Sequence, residues 1–471
     1  MATAQQVSTL IVGLGKTGLA CARFLQAQHI PYAVTDSRDV PPGLWELKAL
    51  NPSVQLTLAG FNESALDGIT QLVVSPGVSL QEPFIQTAMA HGIEVIGDIE
   101  LFARHADAPV LAITGSNGKS TVTTLIGRMA EQADLTVQVG GNLGTPALDL
   151  LLKSHAAEQK TDYYILELSS FQLEATESLN ARAAVVLNVS PDHMDRYDDL
   201  AGYAAAKQRA YGGDGVMIVN RDDAQVLAMA QQALVLNPAR RVIGFTLQKP
   251  VADEFCSDVF GIVQQQGQGW LAFGSRSSGA QPLLPLSELR IAGRHNVANA
   301  LAALALGFAM DLPMDAMLQA LREFSGLPHR MQWVAEIDGV NWYNDSKGTN
   351  VGATVSAIEG MPGPKLLIAG GEGKDADFSP LRAAVTNNNV HSVILIGRDA
   401  DLIAAAIGDA AVVKRADSLE KAVRKAHELT RAGDSVLLSP ACASFDMFNN
   451  YEHRGEVFVT TVLSLAQEFS A

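Results

Sequence analysis

The chain is poor in cysteine, in positive charge and in long apolar runs, and each shortage excludes something. Its three cysteines, Cys21, Cys256 and Cys442, are odd in number, widely separated and without a C-x-x-C pair. That pattern gives neither a disulfide frame nor a zinc site, and it fits free thiols in a reducing cytosol. Against 50 Asp and Glu there are 34 Lys and Arg, a net charge of −16. Such an acidic balance argues against nucleic acid and anionic membrane as partners, because both demand basic surface. The longest apolar stretch, Val297 to Met310, contains Asn299. It falls short of the roughly 18 apolar residues a membrane span needs, and reads as a buried, alanine-rich helix. No basic residue precedes Lys16 and the first apolar run is short, so no secretory signal is expected. The expectation is a soluble, cytoplasmic protein working as a monomer.

What is present is length and alternation. A chain of 471 residues exceeds one ordinary core and suggests two to four domains. Short apolar strands recur, separated by helix-length segments, in three blocks. The first has Leu10–Val12, a glycine turn, a helix to about Gln28, strands Tyr32–Thr35 and Gln71–Val74, the Pro76-Gly77 turn and a helix from Gln81 to His91, closing near Gly97. The second has Val110–Ile113, a helix from Lys119 to about Asp134, and strands Tyr163–Leu166, Ala184–Leu187 and Val216–Val219. The third has Lys365–Ile368, Ser392–Ile396 and Ser435–Leu438. This is the pattern of an α/β protein with parallel sheets covered on both faces. Residues 250–285, around Gln264-Gln-Gln-Gly-Gln-Gly269, read as hairpin turns between short β segments.

The strand Val110–Ile113 runs into Thr114-Gly-Ser-Asn-Gly-Lys119-Ser120-Thr121, which is the setting of a phosphate loop. Backbone N–H groups of Gly115, Ser116, Asn117 and Gly118 can wrap phosphates, Lys119 can reach the outer ones, and Ser120, beside Thr121, can ligate Mg²⁺. The following helix aims its positive end at the same anion. Ile113 stands where the full loop motif has glycine, so the loop is a shortened variant. An acidic chain that binds phosphate must build local positive sites, which gives weight to lysines in glycine turns. A second turn, Gly13-Leu-Gly-Lys-Thr-Gly18, fits G-x-G-x-x-G after a strand, with Asp36 ending the next strand. That suits a dinucleotide, and an NAD-dependent oxidoreductase is the rival class. The turn equally suits any diphosphate, UDP included, and hydride transfer needs no second phosphate loop. Glu167 ends the strand Tyr163–Leu166, where α/β sheets place ligands. His193 follows another apolar strand, and Lys207 lies in a helical segment. Each taken singly reads as structural or solvated; together with Lys119 and Ser120 they suggest a cleft lined for phosphate and metal.

These stretches, with Glu167-Leu-Ser-Ser-Phe-Gln-Leu-Glu174, Asn188 to Tyr197, Gly293-Arg-His-Asn-Val-Ala-Asn299, Pro328-His-Arg330 and Asn344-Asp-Ser-Lys347, resemble the Mur ligase family in order along nearly the whole chain. Ser75-Pro-Gly77, Gly140-Gly-Asn142 and Ser439-Pro-Ala-Cys-Ala-Ser-Phe-Asp446 running to Asn450-Tyr-Glu-His-Arg-Gly455 are similar to its D-glutamate-adding members. The Asp-Asn-Pro-Arg motif of the diamino-acid-adding members is absent. Lys16 departs from an apolar turn position, and Tyr451 stands where phenylalanine is frequent.

The resemblance implies three domains: a Rossmann-like domain for a UDP-linked substrate (1–97), a central P-loop ATPase domain with a mostly parallel sheet (98–326), and a Rossmann-like amino-acid-binding domain (327–471). It implies ATP-dependent addition of D-glutamate to UDP-N-acetylmuramoyl-L-alanine through an acyl phosphate, in peptidoglycan precursor synthesis. Another family member's substrate, or a folylpolyglutamate synthase-like activity, is the nearer alternative. By resemblance, Lys119, His193, Lys207 and Arg330 are catalytic. Ser120, Glu167, His193 and a carbamylated Lys207 hold two Mg²⁺ ions. Asn296 and Asn299 contact adenine, Asp345 the ribose and Arg330 the γ-phosphate. Thr17, Asp36, Ser37, Arg38, Gly77 and Asn142 take the UDP substrate. Lys347, Thr349, Lys374, Ser444, Phe445 and Tyr451 take D-glutamate.

Overall fold

Among the described residues the strands form three sheets, each built mainly of short apolar segments. The computed structural model describes residues 7–192, 196–291, 293–373 and 376–469. The first sheet orders its five parallel strands Gln55–Thr57, Tyr32–Thr35, Thr9–Val12, Gln71–Val74, Glu94–Gly97. Thr9–Val12 sits at its centre and is buried on every residue. Its carboxyl end lies where the sheet order reverses, the place at which open α/β sheets take ligands.

The second sheet has nine strands. Seven run parallel, with Val110–Thr114 between Tyr163–Glu167 and Ala183–Val186. The segment read from the sequence as hairpin turns between short β pieces forms two antiparallel hairpins, Asp258–Gln265 with Gln268–Ser275, and the latter with Gln281–Pro285. The helix Arg294–Ala309 buries Ala300 through Leu306 completely, as its alanine-rich sequence suggests.

The chain divides into two compact units. One holds residues up to Leu286 together with Ala298–Leu321; the other holds Ser287–Val297 and Arg322 onward. In the first unit one apolar cluster runs through both sheets, joining Ile11 and Phe24 to Val110, Tyr164 and Val186. Burial of that continuous apolar surface makes the two sheets one body. The helix Asp98–Ala103 adds polar ties: the buried Glu100 accepts from the backbone of Glu177 and Ser178 and from Arg104.

The second unit carries a six-stranded sheet, ordered Gln332–Ile337, Val340–Asn344, Ser435–Leu438, Lys365–Gly370, Val390–Ile396, Val412–Arg415. All neighbours are parallel except the first pair, which is a hairpin. Alternation places Leu367 and Ala369 in one core and Leu366 and Ile368 in the other. Both faces are therefore covered. No helix among the described residues is long and apolar enough to cross a membrane.

Candidate active site

Two constellations form within the first unit. The first surrounds the carboxyl end of Thr9–Val12. All six residues proposed for the UDP substrate (Thr17, Asp36, Ser37, Arg38, Gly77, Asn142) line a cavity of about 400 Å³. Asp36 fixes its floor. One carboxylate oxygen accepts from the Leu14 backbone at 2.6 Å, and both are engaged by the Arg38 guanidinium at 2.7 and 2.8 Å. These bonds hold the carboxyl below the ordinary range against the opposing effect of burial. Gly18 is required by packing, since a Cβ there would meet the Gly13 carbonyl oxygen at 1.9 Å. Lys16 begins the helix and donates to the Gly144 carbonyl on the cavity rim. The sequence departure at Lys16 is thus a local tie across the cavity.

The second constellation is the phosphate loop. Gly118 adopts a left-handed conformation (φ 84°) and caps the helix Lys119–Gln132. A Cβ at Gly118 would also stand 2.4 Å from the Asn299 side-chain oxygen, so only glycine suits this turn. The loop is held from outside: the Asn117 backbone donates to Asn188 Oδ1 at 2.8 Å, and Ser116 Oγ donates to the Ser190 carbonyl at 3.0 Å. Lys119 Nζ donates to the carbonyls of Gly115 and Ser116 at 2.8 and 2.9 Å. Lys207 is 1% exposed, and its Nζ donates to the same Gly115 carbonyl at 3.0 Å. It also lies 4.4 Å from the Tyr203 ring centre. Burial, then the neighbouring Lys119, pull its pKa down to about 7. Two ammonium groups converging on one carbonyl make a place for an anion.

Glu167 is buried beside this loop. Its Oε1 accepts from Asn142 Nδ2 at 2.7 Å, while its Oε2 is buried without a hydrogen-bond partner. An orphaned carboxylate oxygen, on a strand paired in register with the one that leads into the phosphate loop, is the donor chemistry that a hard divalent cation takes. Asn142 also lines the cavity, so one side chain joins the two constellations. Among the described residues no group of three His, Cys, Asp or Glu forms a ready metal cluster. His193 lies outside the described residues.

The second unit holds the remaining candidates among the described residues. Arg330 is exposed in a tight turn between His329 (φ 63°) and Met331 (φ 45°). Two non-glycine residues in left-handed conformation are costly and mark a constrained turn. Asp345 follows Val340–Asn344 and is buried. Its oxygens accept from the Met331 backbone at 3.2 Å and from Ser439 Oγ at 2.7 Å, and burial raises its pKa to about 7. The carboxylate thus braces the Arg330 turn. Lys347 Nζ lies 3.9 Å from the centre of the Tyr451 ring, a cation–π contact. Ser444 is buried, whereas Phe445 is 64% exposed. Thr349 lies on the same turn as Lys347, its N–H donating to the Lys347 carbonyl at 2.7 Å. Asn296 is buried in the first turn of its helix. Lys374 lies outside the described residues.

Three family models match in chain order: Mur ligase MurD-like N-terminal domain at residues 7–97, Mur ligase middle domain at 113–307, and Mur ligase glutamate ligase domain at 329–442. A UDP-N-acetylmuramoylalanine–D-glutamate ligase of Nitrosococcus oceani is 53% identical over 96% of this chain and 95% of its own. Proteins of the same name from Marinobacter nauticus and Pseudomonas aeruginosa are 52% and 50% identical, each over 97% of this chain and 98% of theirs. The chain belongs to the Mur ligase family.

Mur ligases are ATP-dependent amide-bond ligases that generally use Mg²⁺, and the phosphate loop described above is the part of this chain suited to that nucleotide. Among solved structures, the UDP-N-acetylmuramate–alanine ligase of Thermotoga maritima has a TM-score of 0.57 at 14% identity, covering 97% of this chain and 99% of that one. A pseudomurein peptide ligase of Methanothermus fervidus has a TM-score of 0.56 at 16% identity, covering 97% of this chain and all of that one. At such identities the likeness shows the shared Mur ligase fold. Several residues of the sites were missed in the sequence. Phe61, Gly144, Pro146 and Gln172 line the cavity. Gln172 sits in the Glu167–Glu174 motif, so a signal for it was present; Phe61 carried none.

Proposed function

We propose that this chain uses ATP to join D-glutamate to UDP-N-acetylmuramoyl-L-alanine, in peptidoglycan precursor synthesis in the cytoplasm, acting as a monomer. The observation that carries the substrate assignment is identity of 50–53% over almost the full length of relatives bearing that name. The site geometry is compatible with it. Residues 1–97 take the UDP-linked substrate, 98–326 the ATP and 327–471 the amino acid.

A carboxylate is a poor electrophile. In the proposed reaction an oxygen of the alanyl carboxylate attacks the γ-phosphorus and ADP leaves. The D-glutamate amine then attacks the acyl carbon, loses a proton, and phosphate departs. Transfer between two anions needs concentrated positive charge. Lys119 supplies it on the phosphate loop, and Arg330 offers an exposed guanidinium for a phosphate oxygen. Ser120, Glu167, His193 and Lys207 as its carbamate are the candidate ligands for two Mg²⁺ ions, which when bound neutralise phosphate charge. Asn142 orients Glu167 from the substrate cavity. Asn296 and Asn299 are the candidates for adenine and Asp345 for ribose. Lys347, Thr349, Lys374, Ser444, Phe445 and Tyr451 are the candidates for D-glutamate.

The deciding experiment is phosphate release from ATP with UDP-N-acetylmuramoyl-L-alanine and a panel of D- and L-amino acids. Release with D-glutamate is expected. Release with L-lysine or a diamino acid, but not D-glutamate, overturns the substrate assignment.

A further inference from the structure

The helix Tyr451–Phe469 opens with a buried charge to which the chemistry above gives no role. Arg454 is fully buried, the bulkiest charged side chain enclosed among the described residues. Its Nε donates to Ser346 Oγ at 3.0 Å and its Nη2 to the Ser346 carbonyl at 2.9 Å. Its Nη1 donates to the carbonyls of Cys442 and Ala443 at 3.2 and 3.4 Å. All these acceptors are neutral. Burial accordingly draws the guanidinium pKa down to about 10.

Enclosing a cation among neutral partners is unfavourable, and an apolar side chain of similar volume would serve a plain core better. What the guanidinium supplies is geometry: a rigid planar fork with N–H groups at fixed angles. Here that fork binds two separate loops. One, next to Ser346, carries Lys347 and Thr349; the other, next to Cys442 and Ala443, carries Ser444 and Phe445. Ser346 Oγ donates onward to the Tyr451 carbonyl at 2.8 Å, which fastens the helix start to the same point. Tyr451 in turn lies against Lys347. Every described candidate for the amino-acid substrate is therefore no more than three residues from a group held by Arg454 or Ser346.

We propose that Arg454 is a positioning residue for the amino-acid substrate, setting the distance between the Lys347–Thr349 turn and the Ser444–Phe445 turn. This rests on the reading that those turns hold D-glutamate. Lysine at this position keeps the charge but lacks the fork and cannot hold both loops. An error of about 1 Å in a binding group can cost on the order of 10²-fold, so a partial loss of this tie is expected to raise the D-glutamate KM about tenfold in Arg454→Lys.

The test measures KM for ATP, UDP-N-acetylmuramoyl-L-alanine and D-glutamate separately in wild type, Arg454→Lys and Ser346→Ala, with a thermal melt of each. Only the D-glutamate KM is expected to rise, more in Arg454→Lys than in Ser346→Ala. A folded Arg454→Lys with the wild-type D-glutamate KM, or with all three KM values raised alike, overturns the proposal. Should Arg454→Lys lack a cooperative melt, Ser346→Ala decides: it removes one hydroxyl and leaves the guanidinium in place, and a wild-type D-glutamate KM there refutes the positioning role. Failure of the substrate assignment is distinct, because it shows in the wild-type enzyme as turnover with a different amino acid.

Discussion

The sharpest consequence of the active-site geometry concerns the state of Lys207. A lysine with the ordinary pKa of about 10.4 is neutral at pH 7 in only about 4 molecules in 10⁴. With its pKa drawn down to about 7 by burial and by Lys119, Lys207 is neutral in about half of the molecules at that pH. The supply of nucleophilic amine is thereby raised about 10³-fold. A neutral amine can attack the carbon of CO₂ and release a proton, leaving a carbamate of charge −1. At this position the change relieves a conflict. Lys119 and Lys207 both donate to the Gly115 carbonyl; as two cations they repel, whereas carbamate and ammonium attract. The carbamate also offers the hard oxygen ligands that Mg²⁺ prefers and an ammonium cannot. The expected result is a carbamate carbonyl resonance in the ¹³C spectrum of the protein in labelled bicarbonate, absent from Lys207→Ala and from Lys207→Arg. Its intensity and the ligation rate should climb together as pH rises through about 7, because the neutral amine is the reactive form. Lys207→Ala should fold yet lose about 10²-fold or more in rate, comparable to removal of a principal electrostatic group. Acetate should restore part of that loss by filling the vacated space. A fully active Lys207→Ala, or no such resonance at pH 8 in saturating bicarbonate, would refute the reasoning.

Other predictions follow from single contacts. Lys119→Ala removes a charge from the phosphate loop and should slow ligation about 10²-fold, or about 3 kcal/mol, with an unchanged melt; near-normal turnover would remove the ATP site from this loop. UDP-N-acetylmuramoyl-L-alanine should raise the melting temperature while NADH leaves it unmoved, and Asp36→Asn, which weakens the Arg38 and Leu14 ties, should shrink that shift. Stabilisation by NADH alone would restore the oxidoreductase reading. Glu100, whose carboxylate is held at about 2 by the bonds from Ser178, Glu177 and Arg104 against the effect of burial, stabilises the fold above its unfolded pKa of about 4.3 and progressively less as pH falls toward 2. Glu100→Gln should therefore cost about 2 kcal/mol at pH 7, and the difference from wild type should begin to narrow below about pH 4 and close near about pH 2; a gap independent of pH would mean that the charge is not what matters.

What could be read in the sequence, and what could not, follows from the range of the interactions involved. Val110–Thr114 and Thr9–Val12 are flanked by strands on both sides and buried on every residue, so they stand out as continuous apolar runs. Gln55–Thr57, Val137–Gly141 and Val412–Arg415 lie at sheet edges with partly exposed residues; they carry no such run and were not anticipated. The phosphate loop was legible because its grammar is local: a strand, a left-handed glycine and a helix start within a dozen residues. The environment of Lys207 is of another kind. Its helix, Leu200–Gln208, has no pattern that separates a solvated lysine from a buried one. The carbonyl that decides the matter, that of Gly115, is 92 positions away. Arg454 is the extreme case, since its hydrogen bonds to Ser346 span 108 positions and a charged letter on an amphipathic helix reads as surface. Local backbone rules therefore locate where a ligand's phosphates can lie. The charges that tune such a site are set by contacts that exist only after the sheets have packed.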